Sequence, residues 1–330
     1  MKIKKDINPE EWEDLLSHSP EATIFHTYES IKVFTETYPE FEALYIIVTN
    51  AEQELVGGMP IIRRKHSSFY RLHSMPFGGY GGPILRDGVD EQIRIRILKE
   101  FCRLSSKWNN LDSHVVDFSQ KCALLSPTFS SRESFTHILN LDLPLQDIWL
   151  KKLTKKTRNQ IRMSQKRGAK IEEVSLDCLD DVYKMYLETD RRHGRKSSPI
   201  SFYKNILGME SKNVHVKWLV AKGDDKYIAA IQGITFKGSI GLGSASLEEY
   251  RNYYRPNNLL IWELIKWGCE NGCTCLNFGG SPPEAKGLIN FKESWGAQKY
   301  EYIVFDKISP LFTFASFCKG ILNRIHLKHA

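Results

Sequence analysis

The chain has 330 residues, 42% of them hydrophobic and 26% charged, with a formal net charge of +7. That length exceeds one ordinary core and predicts two domains, and the composition excludes a disordered or low-complexity chain. The positive excess suits a polyanionic partner, while the lack of any run of about 18 apolar residues argues against a membrane-spanning helix.

Asn8 as a cap and Pro9 in the first turn predict a helix over residues 8–19, with Trp12, Leu15 and Leu16 as its apolar side. Residues 29–38 read as a second helix. Residues 44–49 and 55–63 read as strands joined by a polar turn at Asn50. The glycine-rich loop Pro76-Phe-Gly-Gly-Tyr-Gly-Gly-Pro83 follows. A long helix over 90–109 then carries Ile93, Ile97, Leu98, Phe101 and Leu104 on one face, and 114–118 is a short strand. The second half repeats this plan. Helices are expected over 179–192 and 202–209, and strands over 216–221, 227–236 and 239–246. A helix over 256–271, a strand over 274–278, a helix over 288–295 and a closing strand over 300–305 complete it. Two copies of one α/β unit are therefore expected, with the join between residues 119 and 146. The boundaries are set at 1–130 and 131–308, with an amphipathic helix over 309–330. The element order resembles that of tandem GNAT-like acyltransferase domains, and that likeness implies an α/β fold with central mixed sheets flanked by helices.

Residues 151–170 hold nine Lys or Arg and no acid. On a helical wheel all nine fall within about half the circumference, opposite Leu153 and Ile161. Solvated faces usually mix both signs, so Lys155, Lys156, Arg158, Arg162 and Lys166 are read as a surface for an anion such as RNA phosphate.

Near the end, the strand closing at Phe278 runs into Gly279-Gly280, and a helix then carries Phe291-Lys292. A glycine-opened strand end lets a ligand approach backbone closely. A lysine beside it can offer charge to an oxyanion or phosphate. Hydrolase, P-loop and dinucleotide-binding signatures are missing. The seven cysteines form no CxxC pair and no His cluster stands at ligand spacing, so no metal is expected. An acyl-CoA enzyme of this fold needs a glycine-rich amide cradle before its long helix. Here Arg251-Asn-Tyr-Tyr-Arg-Pro256 stands in that place, which disfavours CoA and leaves no bound cofactor expected. The first twelve residues lack the apolar core of a secretory signal, so a cytoplasmic location is expected.

These pieces together resemble the Fem-type aminoacyltransferases and their shorter FemAB-like relatives. The resemblance rests on the Phe77–Pro83 loop and on Trp149-Leu-Lys-Lys-Leu…Lys156-Thr-Arg158-Asn-Gln-Ile-Arg162…Gly168. It rests also on Arg255-Pro256-Asn-Asn-Leu259 and on Phe278-Gly-Gly-Ser281…Phe291-Lys292…Gly296. It implies transfer of an amino acid from aminoacyl-tRNA to an amine on a lipid-linked or nucleotide-linked cell-envelope precursor. By that likeness Lys292 and Asp117 are catalytic, Asp117 as orienter or base for the acceptor amine. Phe291 and Tyr254 line the channel, and Arg192 contacts acceptor phosphate or carboxylate. The long helical arm of the larger Fem proteins is missing. The apolar and basic spacing within 309–330 adds an expectation of peripheral contact with the inner face of the membrane. Two other readings stay open: an N-acyltransferase using acyl-CoA, and a non-catalytic RNA- or envelope-binding protein.

Overall fold

The computed structural model describes residues 1–310 and 312–313. The amphipathic helix expected over 309–330 lies almost wholly outside the described residues. The chain divides into two compact units. The first comprises Met1–Glu133 together with the strand residues from Tyr302, and the second is Ser134–Glu301. The first crossing falls three residues beyond the expected boundary at 130. The closing strand, placed wholly in the second domain by the sequence reading, passes from the second unit to the first at Tyr302.

In the first unit, α1 (Pro9–Ser17) starts as the sequence requires, with Asn8 Oδ1 accepting the amides of Glu10 and Glu11. Helix α2 (Tyr28–Thr37) follows. Strands β1 (Lys2–Lys4), β2 (Phe41–Thr49), β3 (Leu55–His66), β4 (Phe69–Ser74), β6 (Asn110–Asp117) and β13 (Gln298–Ile308) lie in that spatial order as β1-β2-β3-β4-β6-β13. The two-residue β5 (Ile84–Leu85) adds to β3. Helix α3 (Gln92–Ser105) lays Ile97, Leu98, Phe101 and Leu104 onto β2, β3 and β6. That face is the one the 3.6-residue spacing predicts. Strand β4 has no counterpart in the sequence reading. It is short, half-buried and carries Arg71 and His73, so it lacks a clean apolar alternation.

In the second unit the spatial order is β7 (Ser130–Asn140), β12 (Cys275–Gly280), β11 (Ser239–Ser246), β10 (Lys226–Phe236), β9 (Val214–Gly223) and β8 (Lys170–Glu173). Helices α5 (Leu179–Arg192) and α6 (Ile200–Leu207) precede β9. Helices α7 (Glu248–Tyr254) and α8 (Pro256–Glu270) stand between β11 and β12, and α9 (Lys286–Glu293) follows β12. The core gathers Ile228, Ile231, Ile240, Leu260, Leu264, Ile265 and Leu276 around α8. Each unit thus runs two helices, three antiparallel strands, a long helix and a strand parallel to the third: β4 with β6, and β11 with β12. The expected internal repeat is present.

The single cationic helix over 151–170 is not. A π-type turn, Ile148–Lys152, comes first, then an extended Leu153-Thr154, and only then α4 (Lys155–Lys166). Thr154 ends the one and caps the other, its Oγ1 accepting the amide of Thr157 at 3.2 Å. A capping residue inside a charge run outweighs the helix propensity of its lysines. Lys170 belongs to β8, so the nine-residue wheel does not describe one surface.

Candidate active site

Strands β11 and β12 run parallel but pair over only three positions, Ser239↔Cys275 to Gly241↔Asn277. Beyond them β11 continues to Ser246 and β12 to Gly280 without pairing to each other. The result is a wedge between their carboxyl ends, the place where ligands bind in parallel α/β sheets. On its other side β12 loses register with β7 between Asn277 and Gly280. Gly279 takes φ 76°, open to glycine at little cost, and its amide donates to Asn277 Oδ1 at 2.9 Å.

Lys292 sits at this strand end. Its Nζ donates to the carbonyls of Gly279 at 2.6 Å and Gly280 at 2.9 Å. Helix α9 is amphipathic the wrong way round: Lys292 is its one buried residue, 4% exposed, while Leu288 is 43% exposed. Among the described residues no carboxylate stands within ion-pair distance of Nζ. Burial pushes the ammonium down from 10.5 to about 8, so at neutral pH it is still mostly charged. Two of its three N–H groups serve carbonyls, and the third remains for a ligand.

His137, on β7, is a site residue that the sequence does not mark. Its side chain is fully buried, and neither ring nitrogen has a hydrogen-bond partner. Nε2 lies 3.8 Å from Glu293, and Phe135 meets the ring edge-on. Burial, then the charge of Lys292, holds its pKa below the ordinary value, so the ring is neutral at pH 7. Ser281, next after Gly280, is also buried with an unpartnered Oγ. A lone histidine in the strand SFTHILN gives no spacing signal; only the bulge of β12 opposite it reveals the cluster.

Phe291 is half-buried, its ring edge-on to Trp295. Arg192 Nη1 donates to Ser246 O at 3.2 Å, at the end of β11, and lies 3.6 and 3.5 Å from Glu188 and Glu248. Tyr254 is buried over the β9–β10 turn, where a Cβ on Gly223 would lie 2.8 Å from its ring. Its hydroxyl donates to Asp224 at 2.6 Å, a bond that pushes the phenol up to about 12. Asp117, in the first unit, is fully buried, with its oxygens accepting Ser119 Oγ at 2.7 Å and the Cys122 amide at 2.8 Å. Both Tyr254 and Asp117 thus hold turns of their own units.

Arg158 folds back to donate to the carbonyls of Trp149, Leu150 and Leu153, closing the π-type turn. Arg162 stacks over Trp149 at 5.3 Å. Lys155, Lys156 and Arg255 instead line a groove of about 550 Å³ with Asn159, Gln160 and Met163. Lys166 lines a neighbouring groove with Arg167 and Tyr253. Helix α8 enters the first groove through Arg255 in the left-handed region, φ 53°, and Pro256, which has no amide to donate. Among the described residues no three His, Cys, Asp or Glu side chains gather for a metal.

Residues 155–293 match the family model of the acetyltransferase (GNAT) domain. A search of curated protein sequences gave no match. Among solved structures the chain is similar to FemX, at 16% identity and a TM-score of 0.71, with 95% of this chain and 99% of that one covered. It is also similar to the C-terminal domain of a putative lysylphosphatidylglycerol synthetase from Agrobacterium fabrum, at 12% identity and a TM-score of 0.58, with 95% and 96% covered. A tandem GNAT protein from the clavulanic acid biosynthesis pathway superposes at 10% identity and a TM-score of 0.57, with 91% and 94% covered. At such identities these likenesses speak to the fold. Residues 155–293 thus match a GNAT-type domain, and the chain as a whole shares its fold with FemX.

Proposed function

We propose that the chain is an aminoacyltransferase that moves an amino acid from aminoacyl-tRNA to an amine on a lipid-linked or nucleotide-linked cell-envelope precursor. The observation that carries the reading is Lys292, a buried ammonium with no carboxylate partner among the described residues, at the mouth of the strand wedge. Evolution tolerates so costly a burial chiefly where the charge is used. In aminoacyl transfer the neutral acceptor amine attacks the ester carbonyl. A C–N bond forms, the ester C–O bond breaks, and the amine proton passes to the departing ribose oxygen. Lys292 offers its remaining N–H to the carbonyl oxygen as negative charge builds there, or to the terminal phosphate of the donor. One such donor is worth about 3 kcal/mol in the transition state.

Two features favour tRNA over CoA as donor. The entry to α8 lacks a glycine cradle and offers no amide at Pro256. Lys155, Lys156 and Arg255 line an open groove suited to a phosphate backbone. The GNAT domain match favours the second reading, N-acyl transfer from acyl-CoA. The test is binding of charged and uncharged tRNA at two salt concentrations with CoA as competitor. Salt-sensitive preference for the charged form, indifferent to CoA, supports the proposal. CoA binding without tRNA preference replaces it with the second reading.

A further inference from the structure

The most exposed large apolar residue among those described is Trp108, at 76%. It stands in the turn between α3 and β6, with Phe69 edge-on to it at a ring separation of 5.9 Å. Phe69 opens β4 at the tip of the β3–β4 hairpin, and Asn109 ties the two loops by donating to Ser68 O at 3.1 Å. Because β4 and β6 are parallel and β13 is antiparallel to β6, the carboxyl end of β13 arrives at the same end of the sheet. It brings Ile308, 59% exposed, with Ser309 donating to Leu111 O at 2.9 Å. Three apolar tips therefore share one end of the first unit.

Cations ring them. Lys107 is exposed beside Trp108 and Lys307 donates to Ser106 Oγ at 2.7 Å, while Arg64 and Lys65 along the hairpin are paired with Glu40 and Glu42, each at 3.3 Å. The chain continues from this same end. Arg71 covers the ring of Phe312 at 4.8 Å, and the sequence of 309–330 holds three Lys or Arg, no acid and repeated Leu, Ile and Phe. The acids at this end, Glu40, Glu42 and Asp112, are each paired with a cation, so Lys107 and Lys307 remain without a carboxylate partner among the described residues. An aromatic tip, an aliphatic neighbour and that net basic rim suit the interface of an anionic bilayer, where tryptophan seats at the headgroup level.

We infer that this end of the first unit, Trp108, Phe69 and Ile308 with their basic rim, docks on an anionic phospholipid surface. A second copy of the chain is disfavoured as occupant, because the excess charge of Lys107 and Lys307 on one copy would face the same lysines on the other. The inference stands on the first unit alone and does not depend on the chemistry proposed for the second.

The experiment is co-sedimentation of the full chain with vesicles of phosphatidylglycerol and phosphatidylcholine, against phosphatidylcholine alone. Binding to the anionic vesicles only, weakening with salt, is expected. The double variant Trp108→Ser, Ile308→Ser should lower the partition coefficient by about tenfold or more, and Lys107→Gln by roughly fivefold. Both apolar residues are exposed, so circular dichroism should be unchanged, and any unfolding would show there. Undiminished binding by the double variant, or no binding by the parent chain, overturns the inference. So does a concentration-dependent dimer in sedimentation equilibrium that the double variant abolishes.

Discussion

At the scale of single residues, the site turns on how a buried lysine keeps its charge. With its pKa near 8, Lys292 is an ammonium at neutral pH and an amine above that. If the charge stabilises an oxyanion, turnover should fall as pH rises through about 8, and Lys292→Met should lower kcat by about 10²–10³ with the fold intact. The linkage runs the other way for stability. Between about 8 and 10.5 the unfolded chain holds this proton and the folded chain does not, so stability should rise with pH there while activity declines. Lys292→Met should abolish that rise in denaturant titrations. His26 gives a separate acid limb. It is buried in the turn Ile24–His26, and burial lowers its pKa from 6.5 to about 4. The unfolded state binds the proton first, so stability should drop as pH falls from about 6.5 to 4, by about 3 kcal/mol in all. His26→Gln should flatten that limb in acid unfolding followed by circular dichroism. Tyr254→Phe removes one hydrogen bond to the Asp224 turn. It should lower the urea midpoint slightly and leave kcat within a few-fold; a large drop in kcat would return Tyr254 to the channel.

At the scale of elements, the segment 148–166 shows charge doing two jobs. Arg158 closes the preceding turn and Arg162 stacks on Trp149, while Lys155 and Lys156 face the groove. Thr157 ties α4 to the end of α9, its hydroxyl lying 3.0 Å from both Ser294 O and Ser294 Oγ. That tie fixes the cationic helix to the helix bearing Lys292. Thr157→Val should therefore destabilise the second unit by about 1–2 kcal/mol, read by urea unfolding. In the sequence, nine like charges share one wheel. The break at Leu153-Thr154 is hidden there because Thr is a weak breaker and a strong cap, and the choice depends on Ser294, which is far away along the chain.

At the scale of the whole molecule, the repeated plan yields two units of one topology with different fates. Among the described residues, the buried lysine, the strand wedge and the cationic groove all belong to the second. If that groove carries a nucleic-acid phosphate chain, removing charge should act through salt. Lys155→Gln with Lys156→Gln should weaken tRNA binding and shrink the slope of log K against log salt by roughly 0.7–0.9 for each phosphate no longer neutralised. Equal slopes for parent and variant would place the phosphates elsewhere.

The sequence by itself determined the elements with strong local signals: α1 from Asn8-Pro9, α3 from its 3.6-residue face, β9 to β11 as three consecutive strand-like runs, and the repeat they compose. These are local properties, fixed by backbone sterics and by which face must leave water. It also marked Phe291-Lys292, through the glycines that open the strand before it. What only the tertiary structure decided is which polar groups are buried together. That His137 faces Glu293 across a bulge, that Asp117 and Tyr254 hold turns, and that Trp108 and Ile308 share one sheet end all depend on strand register and pairing between distant residues. Those pairings are set by the summed packing of a whole unit, which no local window contains.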